Sequence, residues 1–191
     1  MKTTLSSLVA IAAFTGSAFA GTTVTPSKTV APPEPEFYRA GEFQGSVSFL
    51  GGARNGNRTV GPLAGANAWT NSTAPGVDAE LRYFITRNFG IGLEGEWLNT
   101  RRTLFGSALN FYLRAPLNQH SRWAPYLFTG IGGLYGGGGG AAFEAHIGGG
   151  LEYRITPNVG LFGDGRYEWV DATRNSVPQF GAMRLGVNFV F

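Results

Sequence analysis

Over most of this chain, apolar side chains recur at every second position, and the charged ones fall strictly between them. The stretch 180–191 shows the pattern most fully. Phe191, Phe189, Val187, Leu185, Met183 and Gly181 share one face of an extended strand, and Val190, Asn188, Gly186, Arg184, Ala182 and Phe180 share the other. Side chains of a strand alternate between faces, so one side is wholly apolar and the other carries Arg184 and Asn188. Past the N-terminus no segment reaches the roughly 20 apolar residues of a membrane-spanning helix, and helical periodicity is missing.

The same alternation recurs over 42–51, 76–85, 89–98, 103–114, 123–135, 142–155 and 159–169. In the first segment Phe43, Val47 and Phe49 oppose Gln44, Ser46 and Ser48. In the later ones Leu81, Ile91, Leu93, Phe111, Ile147 and Leu161 typify the apolar face. Opposite them lie Asp78, Glu80 and Arg82, then Glu94 and Glu96, then Arg114. Glu144, His146, Glu152 and Arg154 follow, then Asp164, Arg166 and Glu168. The fifth segment carries no charge, and its facing is open.

Alternation alone does not say which face points inward. A soluble barrel would turn the apolar face to its interior; a barrel in lipid would turn it outward. Composition favours lipid. Charged residues make up 14% of the chain, against about 25% in an ordinary soluble domain. Lys2 and Lys28 are the only lysines. Trp97, Trp123, Tyr153 and Trp169 fall near segment ends, where aromatic girdles meet the membrane interfaces. The net charge of +3 is scattered and gives no case for nucleic-acid binding.

The N-terminus reads as an export signal: Lys2, an apolar run over 5–14, and Ala18-Phe19-Ala20 as a cleavage site. The absence of Cys fits export without disulfides and excludes thiol catalysis and thiolate metal sites. Pro26, Pro32, Pro33 and Pro35 mark 21–40 as an extended linker. Tight turns at 86–88 and 156–158, and a longer one at 115–122, alternate with longer connections at 52–75, 99–102, 136–141 and 170–179. Membrane barrels put short turns in the periplasm and longer loops outside. The expectation is therefore an all-β chain. A signal peptide spans 1–20 and a Pro-rich periplasmic linker 21–40. An eight-stranded antiparallel up-and-down transmembrane β-barrel spans 41–191, with both termini periplasmic.

Tyr83-Phe-Ile-Thr-Arg-Asn88 echoes Tyr153-Arg-Ile-Thr-Pro-Asn158, each a strand, a tight turn and a return strand ending in Trp. With these turns, the export signal, the eight alternating segments and the ending Asn188-Phe-Val-Phe191, the chain resembles the small eight-stranded outer-membrane barrels of the OmpA-type and opacity-protein-like superfamily. That resemblance implies outer-membrane lipid and lipopolysaccharide as surroundings. It also implies that Phe189 and Phe191 serve as a signal to the barrel-assembly machinery. No peptidoglycan-binding domain follows the last strand, so cell-wall anchoring is not carried over.

An eight-stranded barrel is just wide enough for side chains to fill. Eight carboxylates against five arginines give the lumen an excess of three negative charges. They are expected to form an ion-paired plug, with a narrow gated pore as the alternative. A lipid-acting enzyme would need a His and Ser set at the outer face, and His146 has Gly148 two residues on. The Gly136–Gly140 run lacks the Lys-Ser/Thr of a phosphate loop. No spacing along the chain marks a metal site, and no cofactor is expected. Arg54, Arg58, Trp69, Arg101 and Arg102 are the outer-loop candidates for an extracellular ligand. A monomer is expected.

Overall fold

A computed structural model describes residues 36–55, 73–99, 103–118, 120–136, 141–171 and 179–191. They form β1 (Glu42–Asn55), β2 (Thr73–Phe84), β3 (Phe89–Leu98), β4 (Leu104–Arg114), β5 (Trp123–Gly136), β6 (Ala141–Thr156), β7 (Val159–Asp171) and β8 (Gln179–Val190). Each strand pairs antiparallel with its predecessor, and β1 closes the barrel on β8, with Val47 opposite Val187. Closure leaves no edge, so backbone polar groups are satisfied without water. The start of β1, the end of β8 and the turns after β2, β4 and β6 share one end, the turn end. The longer connections leave from the other, the loop end.

Burial is inverted relative to a soluble barrel. Phe49, Leu81, Leu93, Phe105, Leu113, Ile147 and Leu185 are exposed, while Arg82, Arg114, Arg154 and Glu168 are almost wholly buried. Water gives no reason to display such a belt and hide such charges; lipid gives both. Trp123 and Tyr153 pack at 4.4 Å between ring centroids at the turn end, and Tyr167 and Trp169 at 4.9 Å towards the loop end. These are the two girdles. Replacing Leu93, mid-strand and outward, with Arg is expected to cost about 2–4 kcal/mol, read from urea unfolding in bilayers.

The strands outrun their expected bounds at the loop end. The β1–β2 ladder continues to Ala53 opposite Thr73, and the β1–β8 ladder to Asn55 opposite Gln179. Gly51 and Gly52 have no side chain to mark a face, and Pro75 interrupts the pattern from within β2. The connection read as 52–75 shortens accordingly to 56–72.

β5 has a definite facing after all. Ala124, Tyr126, Phe128 and Leu134 are buried in the lumen; Trp123, Leu127, Ile131 and Tyr135 face out. Both faces are uncharged, which hid this from the pattern. Gly130 lies between Asn110 and His146, so close that a Cβ there would collide with both side chains.

The echoed turns share one device. Thr86 Oγ1 accepts from the backbone N–H of Asn88 (3.2 Å) and Phe89 (2.9 Å). The Asn88 side chain donates to the Arg114 carbonyl at 2.8 Å. Thr156 accepts likewise from Asn158 and Val159, and the Asn158 side chain donates to the Val190 carbonyl at 2.9 Å. Each Thr closes its own turn, and each Asn ties it to the end of a neighbouring strand. At the seam, the Phe191 N–H donates to the Phe43 carbonyl at 2.9 Å, and the two rings lie 6.3 Å apart on the outer surface.

Candidate functional site: the barrel lumen

All fourteen expected lumen residues are buried inside the barrel, from Asp78 to Arg184 and including His146. They lie in layers.

At the turn end, Glu42 is the hub. Its Oε1 accepts from Arg114 Nη1 (2.9 Å), Arg154 Nη2 (2.5 Å) and Gln44 Nε2 (2.5 Å). Arg154 also engages Glu152. Two carboxylates thus balance two guanidiniums. Tyr38 closes this layer from outside the strands. Its ring lies 4.7 Å from the Arg114 guanidinium and 4.8 Å from that of Arg154. Its hydroxyl donates to the Arg122 carbonyl at 2.8 Å. Burial, reinforced by the Glu152 carboxylate, holds the phenol well above the ordinary tyrosine range, so it stays a neutral donor. Phe37 and Ala124 pack beside it. The linker expectation for 21–40 therefore fails at Phe37 and Tyr38, whose aromatic rings find cations and a lid position; 21–35 lies outside the described residues. Replacing Tyr38 with Ala is expected to cost about 3 kcal/mol, measured as a lowered urea midpoint.

Above this base comes a deck of aromatics: Phe84, Tyr112, Tyr126 and Phe128. Arg82 lies 4.6 Å over Tyr112, and Arg184 lies 5.0 Å over Phe128. Cations on ring faces in a desolvated lumen gain on the order of 2 kcal/mol. Glu80 takes two bonds from Arg82 (2.9 and 2.7 Å) and one each from Tyr112 (2.5 Å) and Asn110 (2.9 Å). Arg184 forks onto Asp164 at 2.9 and 3.0 Å and reaches Glu94 at 3.1 Å. Asp164 also accepts from Tyr126 at 2.6 Å.

Towards the loop end, Arg166 joins Glu94, Glu96 and Glu168, from β3 and β7. Glu144 and His146 of β6 lie alongside. Over them sits an apolar cap of Leu50, Leu98, Leu104, Leu134, Val170 and Phe180, with smaller neighbours. The expected Arg/carboxylate filling is therefore only the middle of the stack, between an aromatic lid and an aliphatic one.

Sequence reasoning missed Glu42, although it is in phase with Gln44, Ser46 and Ser48. It also missed Tyr38, for which no signal existed. Gly41, with φ of 74°, turns the chain there and breaks the period. Arg58, Trp69, Arg101 and Arg102 lie outside the described residues, as does the side chain of Arg54. Phe189 and Phe191 are exposed on the outer surface at the turn end.

No protein-family model matches the sequence, and no curated protein matches it. Solved structures do. Neisserial surface protein A superposes with a TM-score of 0.57 at 17% identity, over 79% of this chain and 99% of that one. The outer membrane protein OprG of Pseudomonas aeruginosa gives 0.58 at 11% identity, over 81% and 97%. Ail, the attachment invasion locus protein of Yersinia pestis, gives 0.50 at 14% identity, over 80% and 99%. The fold is that of the small outer-membrane β-barrels. Together with the inverted burial, it puts the protein in the bacterial outer membrane, with outward side chains against lipid and charges sequestered within.

Proposed function

We propose that this barrel is a closed, non-enzymatic scaffold of the outer membrane, serving a structural or surface-interaction role. The observation that carries this reading is the unbroken stack inside it. Tyr38 and Phe37 cover the base, the paired guanidiniums and aromatic deck fill the middle, and aliphatic side chains from all eight strands close the top. Opening a path would separate several buried ion pairs at once, each costly to break. On this reading the turn end is periplasmic and the longer connections are extracellular, and Arg54, Arg58, Trp69, Arg101 and Arg102 are the residues expected to meet lipopolysaccharide phosphates or an extracellular ligand. Exposed Phe189 and Phe191 at the seam suit recognition by the assembly machinery. His146, the one histidine inside the barrel, is 1% exposed, which argues against chemistry on lipids.

Osmotic swelling of proteoliposomes tests the closed state. Vesicles bearing the folded protein should swell in small sugars and amino acids no faster than empty ones. Faster swelling that depends on solute size would favour the narrow pore instead.

A further inference from the structure

The arginines inside the barrel all meet carboxylates. Arg82 meets Glu80 at 2.7 Å, Arg114 meets Glu42 at 2.9 Å and Arg184 meets Asp164 at 2.9 Å; Arg154 and Arg166 are held likewise. The arginines at the turn end are placed differently. Arg39, Arg87 and Arg122 lie there, and Glu36 is the one acidic side chain among the described residues outside the strands. Among the described residues none of these three arginines forms an ion pair.

Two of them are positioned by the turn after β4. That turn carries the β4–β5 ladder past the strands: the Ala115 N–H donates to the Pro125 carbonyl at 2.8 Å, and the Leu117 N–H to the Trp123 carbonyl at 3.2 Å. Arg87, in the turn after β2, leans across and donates through Nη2 to the Asn118 carbonyl, which also accepts from the Ser121 N–H at 3.4 Å. Arg87 Nε has no hydrogen-bond partner. Arg122 leaves the same turn towards β6, where Nη1 reaches the Ile155 carbonyl at 3.4 Å and the guanidinium lies 5.3 Å over Phe37. Each guanidinium spends one nitrogen on a carbonyl. That contact sets its direction and leaves its charge uncompensated.

Depth in the membrane decides what meets that charge. Arg122 adjoins Trp123, whose ring packs on Tyr153 in the turn-end girdle. Leu117, bonded level with Trp123, is 68% exposed. Arg87 stands between Ile85 and Phe89, both exposed. Guanidiniums just beyond an aromatic girdle lie at headgroup depth, with apolar neighbours reaching the acyl chains. The anions found at that depth are lipid phosphates, and a guanidinium offers a phosphate oxygen pair a planar fork of donors. A zwitterionic headgroup brings its own ammonium to the phosphate. An anionic headgroup does not, so a surface of uncompensated arginines selects it.

We propose that Arg87 and Arg122, on either side of the turn after β4, form a docking surface for anionic phospholipid headgroups, with Leu117 and Phe89 against the acyl chains. That these lipids belong to the inner leaflet rests on the periplasmic placement of the turn end proposed above. The binding itself does not rest on it, and it is independent of whether the lumen conducts.

The full mature chain is folded into neutral detergent containing equal amounts of phosphatidylglycerol and phosphatidylethanolamine, and retained lipid is read by native mass spectrometry. Wild-type protein should retain phosphatidylglycerol in clear excess. Arg87→Gln and Arg122→Gln should each lower retained phosphatidylglycerol about fivefold and leave phosphatidylethanolamine unchanged. The pair Arg87→Lys and Arg122→Lys keeps the charge and should keep most of the preference. Heat-modifiable mobility reports that each variant is folded. Equal retention of the two lipids by wild type would overturn the proposal, as would a preference for phosphatidylglycerol that survives both Gln substitutions, since the lipid would then sit elsewhere on the barrel. The wild-type comparison needs no variant, so a folding defect in any one of them leaves the test intact.

Discussion

Arg166→Met will destabilise the barrel by about 3–5 kcal/mol, the largest single effect expected in the lumen. Among the described residues Arg166 is the only guanidinium touching Glu96 and Glu168, and it shares Glu94 with Arg184. Methionine fills much of the same volume, so the loss is electrostatic and not one of packing. Three buried carboxylates lose a partner, and the apolar cap keeps water from replacing it. Adding Glu96→Gln and Glu168→Gln to Arg166→Met should recover most of the loss, because removing both sides of a buried pair is far cheaper than removing one. Urea titration of folded and unfolded mobility in bilayers reads both effects. A single variant within about 0.5 kcal/mol of wild type would mean that the network is decoration.

Glu42→Ala comes second, also at about 3–5 kcal/mol. The mutation strands Arg114. Arg154 keeps Glu152, but among the described residues Arg114 keeps one hydrogen bond, to the Arg87 carbonyl at 3.2 Å, beside its ring contacts with Phe84 and Tyr38. The base then holds two like charges against one carboxylate, with Tyr38 lodged between them. Glu42→Gln should be milder, since its amide oxygen can still accept from Arg114. A chain in which Glu42→Ala is as stable as wild type would show that Tyr38 and the aromatic deck alone hold the base together.

These two residues also mark how far the sequence could be read. Arg166 was legible, because a charge flanked at every second position by apolar residues has one face to occupy. Glu42 obeys the same rule but sits at the first position of its strand, where a period has only one direction to declare itself. Tyr38 was not legible at all. Its burial depends on a backbone reversal at Gly41 and on two arginines supplied from β4 and β6, far away in the chain. The inward face of β5 was ambiguous because Tyr126 and Phe128 are apolar enough to read as lipid-facing. Only the neighbouring Arg82 and Arg184 give such rings a reason to turn inward. The convergence of Glu96, Glu144 and Glu168 was hidden for a related cause: strand register, not sequence spacing, brings them together. Alternation fixes faces; it does not fix neighbours.

Single-channel recording in planar bilayers tests the closed lumen most directly. The folded wild-type protein, inserted in either orientation, should give no current above the bare membrane across the voltages a bilayer tolerates. Stepwise openings of uniform size, carried preferentially by cations through the acid-rich interior, would contradict the account and make the barrel a pore.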